Sequence, residues 1–125
     1  MVYRLIIAGS RGFVDYELMK GVCDKLFKKK PFTVISGGAR GADKLAERYA
    51  KEKGIDCRVI EADWGRLGKK AGYLRNKVMR EEGQALLAFW DGQSRGTSHM
   101  IDLCMIEGLP VKICYYKERR VTAWK

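Results

Sequence analysis

Residues Leu5-Ile6-Ile7-Ala8-Gly9-Ser10-Arg11-Gly12 decide the fold. The apolar run at their start does not alternate with polar residues, so it reads as a strand buried on both faces. It passes straight into glycines and then into a helical pattern over residues 15–30, where Leu18, Val22 and Leu26 recur four apart. The same order returns one unit later. Thr33-Val34-Ile35-Ser36 is a second buried strand, followed by Gly37-Gly38-Ala39-Arg40-Gly41-Ala42-Asp43 and a helix. A strand that runs through glycine into a helix aims backbone N–H groups and the positive helix end at one point. That geometry suits a phosphate, and each turn here adds an arginine.

Working outward, the remaining chain repeats the alternation. Pro31 stops the first helix. A helix over 43–53 ends at Gly54, a C-terminal signal. Strands are expected over 57–60, 85–89 and 110–114, and helices over 71–82 and 97–107. Residues 63–72, rich in Gly and Lys, and residues 90–96 read as loops. Strictly alternating strands and helices predict an α/β fold: one Rossmann-like three-layer domain over 1–116, with a five-stranded, mainly parallel sheet covered by helices on both faces. Residues 117–125 read as a charged tail. The strand order 3-2-1-4-5 would bring the loops after strands 1, 2 and 4 to the switch point, where ligands bind in such sheets.

Composition sets the class. The chain has 125 residues, enough for one core, and a formal net charge of +10. A basic balance favours an anionic partner, nucleic acid included. The cations are spread over both halves, and Lys28-Lys29-Lys30 closes a helix, where cations complement the dipole. The four cysteines form no C-x-x-C pair and there is one histidine, so no structural zinc is expected. No apolar run approaches the ~20 residues of a membrane span. The expected location is cytoplasmic, with no membrane partner and no cofactor.

Neither glycine turn fits G-x-x-x-x-G-K-[ST] or a strict G-x-G-x-x-G, which argues against P-loop ATPase and ordinary dehydrogenase chemistry. The candidate ligand-binding residues are Gly9, Ser10, Arg11, Ser36, Gly37, Gly38, Ala39, Arg40, Gly41, Asp43, Asn76, Trp90, Asp91, Gly96, Thr97 and Ser98. Backbone N–H groups of residues 37–41 and of Gly96 and Thr97 would hold phosphate. Asp43 reads either as a first-turn carboxylate or as an acceptor for ribose hydroxyls. Thr97 and Ser98 read as caps or as phosphate ligands. Trp90 reads as packing or as a base-stacking ring. His99 and Asp102 lie about one helical turn apart, a weak acid–base pair.

At these residues the chain resembles the SMF/DprA–LOG superfamily of Rossmann-like proteins, called SLOG, and most closely its small YspA-like members of bacteria and phages. The carriers are Ala8-Gly9-Ser10-Arg11-Gly12-Phe13, residues 36–43, Ala62-Asp63-Trp64, Arg75-Asn76 with Met79, and Asp91-Gly92 through Gly96-Thr97. Members of the DprA branch share the second glycine turn and the Arg75-Asn76 pair, and bind single-stranded DNA. Members of the LOG branch hydrolyse the N-glycosidic bond of nucleoside 5'-monophosphates, and their arginine motif resembles Arg75-x-x-x-Met79. The resemblance thus implies Arg75 as a catalytic candidate. Met100 stands where that branch has glutamate. The resemblance also implies a homo-oligomer and, from other branches, ligands such as ADP-ribose. The reading favoured here is binding of a nucleoside phosphate, NAD-related molecule or ADP-ribose derivative. Phosphoribohydrolase activity and single-stranded nucleic-acid binding are the alternatives.

Overall fold

The computed structural model describes residues 3–125. Its strands are β1 (Tyr3–Gly9), β2 (Phe32–Ser36), β3 (Cys57–Val59), β4 (Ala85–Trp90), β5 (Val111–Tyr115) and β6 (Arg120–Val121). Its helices are α1 (Tyr16–Lys29), α2 (Ala42–Lys53), α3 (Trp64–Leu67), α4 (Lys70–Glu82) and α5 (Arg95–Ile106). Among the described residues, one sheet of order β3-β2-β1-β4-β5-β6 holds all the strands, and only the β5–β6 pair is antiparallel. The parallel part has the 3-2-1-4-5 order expected from the alternation.

Two apolar layers sandwich the sheet. Leu5, Ile7, Val34, Leu87 and Phe89 face α1 and α2, meeting Met19, Cys23, Ala46 and Tyr49. Ile6, Ala8, Ile35, Leu86 and Ala88 face the other way, onto Met79 of α4 and Met100, Ile101 and Cys104 of α5. Successive strand residues serve opposite layers, which explains why the strands read as unbroken apolar runs. In register, Ile6 sits between Ile35 and Leu86 at the centre of the sheet.

The structure departs from the sequence reading at two elements. The stretch read as a charged tail contains β6, and so the sheet has six strands. Arg120 and Val121 pair with Tyr115 and Cys114, and Val111 and Lys125 exchange backbone hydrogen bonds of 3.2 and 3.0 Å. The loop over 63–72 contains the single turn α3, started by Asp63, whose side chain accepts from Arg66 N–H at 3.2 Å. None of the helices among the described residues is long and apolar enough to cross a membrane.

Candidate functional site

The parallel order places the ends of β1 and β4 side by side, with Gly9 opposite Phe89. A cavity of about 380 Å³ opens there. Its walls come from the first glycine loop (Gly9, Ser10, Arg11, Gly12), from Ala39 and Asp43, from Arg75, Asn76 and Met79 of α4, and from the start of α5 (Arg95, Gly96, Thr97). Trp64, Lys69 and Tyr73 also line it, and Met100 closes it as an apolar wall.

Close backbone packing sets the shape. A Cβ on Gly9 would overlap the Phe89 carbonyl oxygen, and one on Gly41 would overlap the Ser10 and Arg11 carbonyls. Gly41 also has φ +79°, a left-handed conformation that glycine adopts without strain. Ser10 joins the three loops. Its N–H donates to Phe89 O (2.9 Å), and its carbonyl accepts from Phe13 and Ala42 N–H (3.1 and 3.2 Å). Its hydroxyl oxygen accepts from Asp91 N–H and lies beside Ser94 Oγ, each at 3.1 Å.

The start of α5 opens onto the cavity. The N–H groups of Arg95, Gly96 and Thr97 fall in its first turn, which has no earlier helical carbonyl to meet. Ser94 does not cap them, because its hydroxyl is turned to Ser10 and to Asp91 Oδ2. Asp91 shapes the approach to this turn. Burial alone would raise its pKa, but donation from Ser94 and Gln93 N–H and from neighbouring hydroxyls holds it down to about 2.

Opposite stand the guanidinium of Arg75 and the carboxyl of Asp43. Arg75 Nη1 donates to Gly37 O at 2.6 Å, and its Nε donates to Asn76 Oδ1 at 3.0 Å. Asp43 Oδ2 accepts from Ala39 N–H at 3.1 Å. Both groups press on Gly37: a Cβ there would lie 2.7 Å from Arg75 Nη1 and 2.8 Å from Asp43 Oδ2. Burial raises the Asp43 pKa to about 6, against the opposing pull of Ala39 N–H and Arg75. Asn76 Nδ2 donates to Gly96 O (3.2 Å) and lies 3.1 Å from His99 Nδ1, tying α4 to α5.

The predicted residues divide accordingly. Gly9, Ser10, Arg11, Ala39, Asp43, Arg75, Asn76, Gly96 and Thr97 surround the cavity. Ser36 does not face it. Its hydroxyl is fully buried, lies 2.8 Å from Glu47 Oε2, and accepts from Gly38 N–H. The amides expected to cradle phosphate along residues 37–41 are therefore partly spent: Gly38 N–H goes to Ser36, and Ala39 N–H to Asp43. Gly37 leaves room for Arg75 and Asp43, Gly38 and Gly41 shape the turn, and Arg40 is exposed away from the cavity. Asp91 builds the loop. Trp90 and Ser98 line a neighbouring cleft instead. Lys69, Tyr73 and Arg95 were not among the predicted residues. Trp64, outside the predicted site residues, holds the Arg11 guanidinium 5.6 Å from its ring centroid.

With this geometry in view, the sequence model of the YspA, cpYpsA-related SLOG family matches residues 3–67. The gene 61 protein of Mycobacterium phage D29 is 36% identical over 116 residues, covering 86% of this chain and 93% of that protein. The chain belongs to the YspA, cpYpsA-related SLOG family. Among solved structures, DNA processing protein A (DprA) from Streptococcus pneumoniae superposes on this SLOG chain with a TM-score of 0.75 at 17% identity, over 90% of this chain and 50% of that one. The SLOG chain thus spans half the length of DprA. The structural-genomics target TM1055 superposes with a TM-score of 0.67 at 18% identity, over 88% of this chain and 72% of that one. At such identities the likeness is one of fold.

Proposed function

We propose that this SLOG protein binds a nucleotide-derived, phosphate-bearing ligand in the cavity at the ends of β1 and β4. One observation carries the reading: an uncapped helix start, cationic side chains and one buried carboxylate converge on a single cavity. Phosphate would lie against the N–H groups at the start of α5, with Arg11 and Arg95 beside it. Asp43 would accept from ribose hydroxyls. Family membership supports a nucleotide-related or nucleic-acid-binding role in general.

N-glycosidic hydrolysis is the second reading, favoured by Arg75 and Asp43 lining one cavity. In that case Arg75 would stabilise charge on the ribosyl phosphate. Met100 weighs against it, because its thioether carries no proton and lies in the wall where a general acid or base would be useful. Losing such a group typically costs ~10²–10⁴ in rate. The test is calorimetric titration with AMP, ADP-ribose and NAD, with free base followed in parallel. Saturable binding without base release, weakened about tenfold or more by Arg75→Ala, is the expected result. No binding by any of the three would overturn the reading. Turnover lost on Arg75→Ala would replace it with the hydrolase.

A further inference from the structure

A second cleft of about 500 Å³ lies beside the cavity, along the outer side of α5. Tyr73 and Arg95 line both, so the two spaces adjoin at those side chains. The second cleft has a different chemistry. Its walls are rings: Trp90, Tyr73 and His99. Tyr73 and His99 stand 4.6 Å apart, tilted by 60°. Trp90 is fixed by the protein itself, its Nε1–H donating to Ser94 O at 3.1 Å and its ring resting on Tyr115. Gln93 and Asp102 add an amide and a carboxylate.

Rigid aromatic walls take planar rings by stacking, and an amide beside a carboxylate can pair with ring nitrogens and exocyclic amines. The first cavity, at about 380 Å³, sits near the low end of ligand pockets, which run ~300–1,000 Å³. A mononucleotide placed there with its phosphate at α5 makes no use of the neighbouring rings. Arg95, lining both spaces, stands where a linking phosphate would pass.

We infer that the ligand is a dinucleotide, two nucleosides joined through phosphates, with its second base in the cleft of Trp90, Tyr73 and His99. This rests on the nucleotide reading of the first cavity and narrows it. The experiment is titration calorimetry with AMP, ADP-ribose and diadenosine diphosphate. AMP reports on the first cavity. ADP-ribose adds a phosphate and a sugar. Diadenosine diphosphate adds the second base as well. The dinucleotide should bind about tenfold or more tighter than ADP-ribose, the size expected of one stacked base. The double variant Gln93→Ala with Asp102→Ala changes two exposed positions outside the first cavity. It should remove the part of that advantage that the amide and carboxylate add to stacking, about threefold, and leave AMP affinity unchanged, which also shows that the variant is folded. AMP binding with no gain from the second base would overturn the inference and leave the first reading standing. So would a gain that the double variant does not touch. Failure of all three ligands to bind would remove both.

Discussion

Asp43 carries the residue-scale chemistry of this molecule. Its carboxyl is 5% exposed, and burial lifts its pKa from 3.8 to about 6. Between those values the folded chain keeps a proton that the unfolded chain has released. Stability contributed by this group is therefore fully present below about pH 4 and falls as pH rises through 6. The cost at neutral pH is on the order of 3 kcal/mol, because each pH unit between the unfolded and folded values is worth about 1.36 kcal/mol. Asp43→Asn removes the ionisation and keeps an oxygen that can accept from Ala39 N–H. In urea unfolding at about pH 4 and about pH 7, the variant should gain stability relative to the parent chain at the higher pH only. An equal change at both values would show that the buried charge is not the cause. Such a cost at a cavity wall is what a binding residue retained for its chemistry would carry.

At the scale of elements, β6 is held by a short set of bonds to β5. Thr122 N–H donates to Ile113 O and its Oγ1 accepts from Ile113 N–H, both at 2.9 Å, while Lys112 Nζ donates to Thr122 O at 2.8 Å. Ending the chain after Arg119 should cost about 2–4 kcal/mol, since each such bond nets ~0.5–1.5 kcal/mol. It should also bare the edge of β5 and promote self-association. Thermal melts and gel filtration of the shortened chain check this, and an unchanged melting temperature with a single unshifted peak would sink it. This strand was not legible in the sequence, because Arg119-Arg120-Val121 has neither apolar run nor alternation and gains its order only from the partner strand. The inner strands β1, β2 and β4 were legible because burial on both faces leaves an apolar signature, as in Leu5-Ile6-Ile7-Ala8, while the half-exposed edge strand β3 was read from its place in the alternation. The site was legible in part for a related reason. Glycine turns mark the loops, but Tyr73 and Arg95 arrive from helical positions, and Lys69 from the turn just before α4, through the packing of α4 and α5 over the sheet. Ser36 misled because a serine beside glycines reads alike whether it meets a ligand or ties a turn.

At the scale of the whole molecule, a net charge of +10 attracts any polyanion, and the question is whether that attraction and the cavity are one site. Salt separates them. Each phosphate neutralised on a single strand contributes a slope of about −0.7 in log affinity against log salt. An oligothymidylate laid over roughly five cations should therefore lose on the order of 100-fold in affinity between about 50 and about 200 mM salt. AMP is no polyelectrolyte and releases no condensed counterions, so it should lose about threefold or less over the same range, through screening alone. Arg75→Ala supplies the second axis. Arg75 is half-buried and bonded to Gly37 O, so it belongs to the cavity and not to the outer charge. The variant should weaken AMP about tenfold and leave the oligonucleotide within about twofold, because the remaining surface cations are untouched. Fluorescence anisotropy of a labelled oligothymidylate and calorimetry of AMP, each at both salt levels, measure the four quantities. An oligonucleotide that resists salt and is lost on Arg75→Ala would mean that single-stranded DNA enters the cavity itself. The nucleic-acid reading would then displace the nucleotide one.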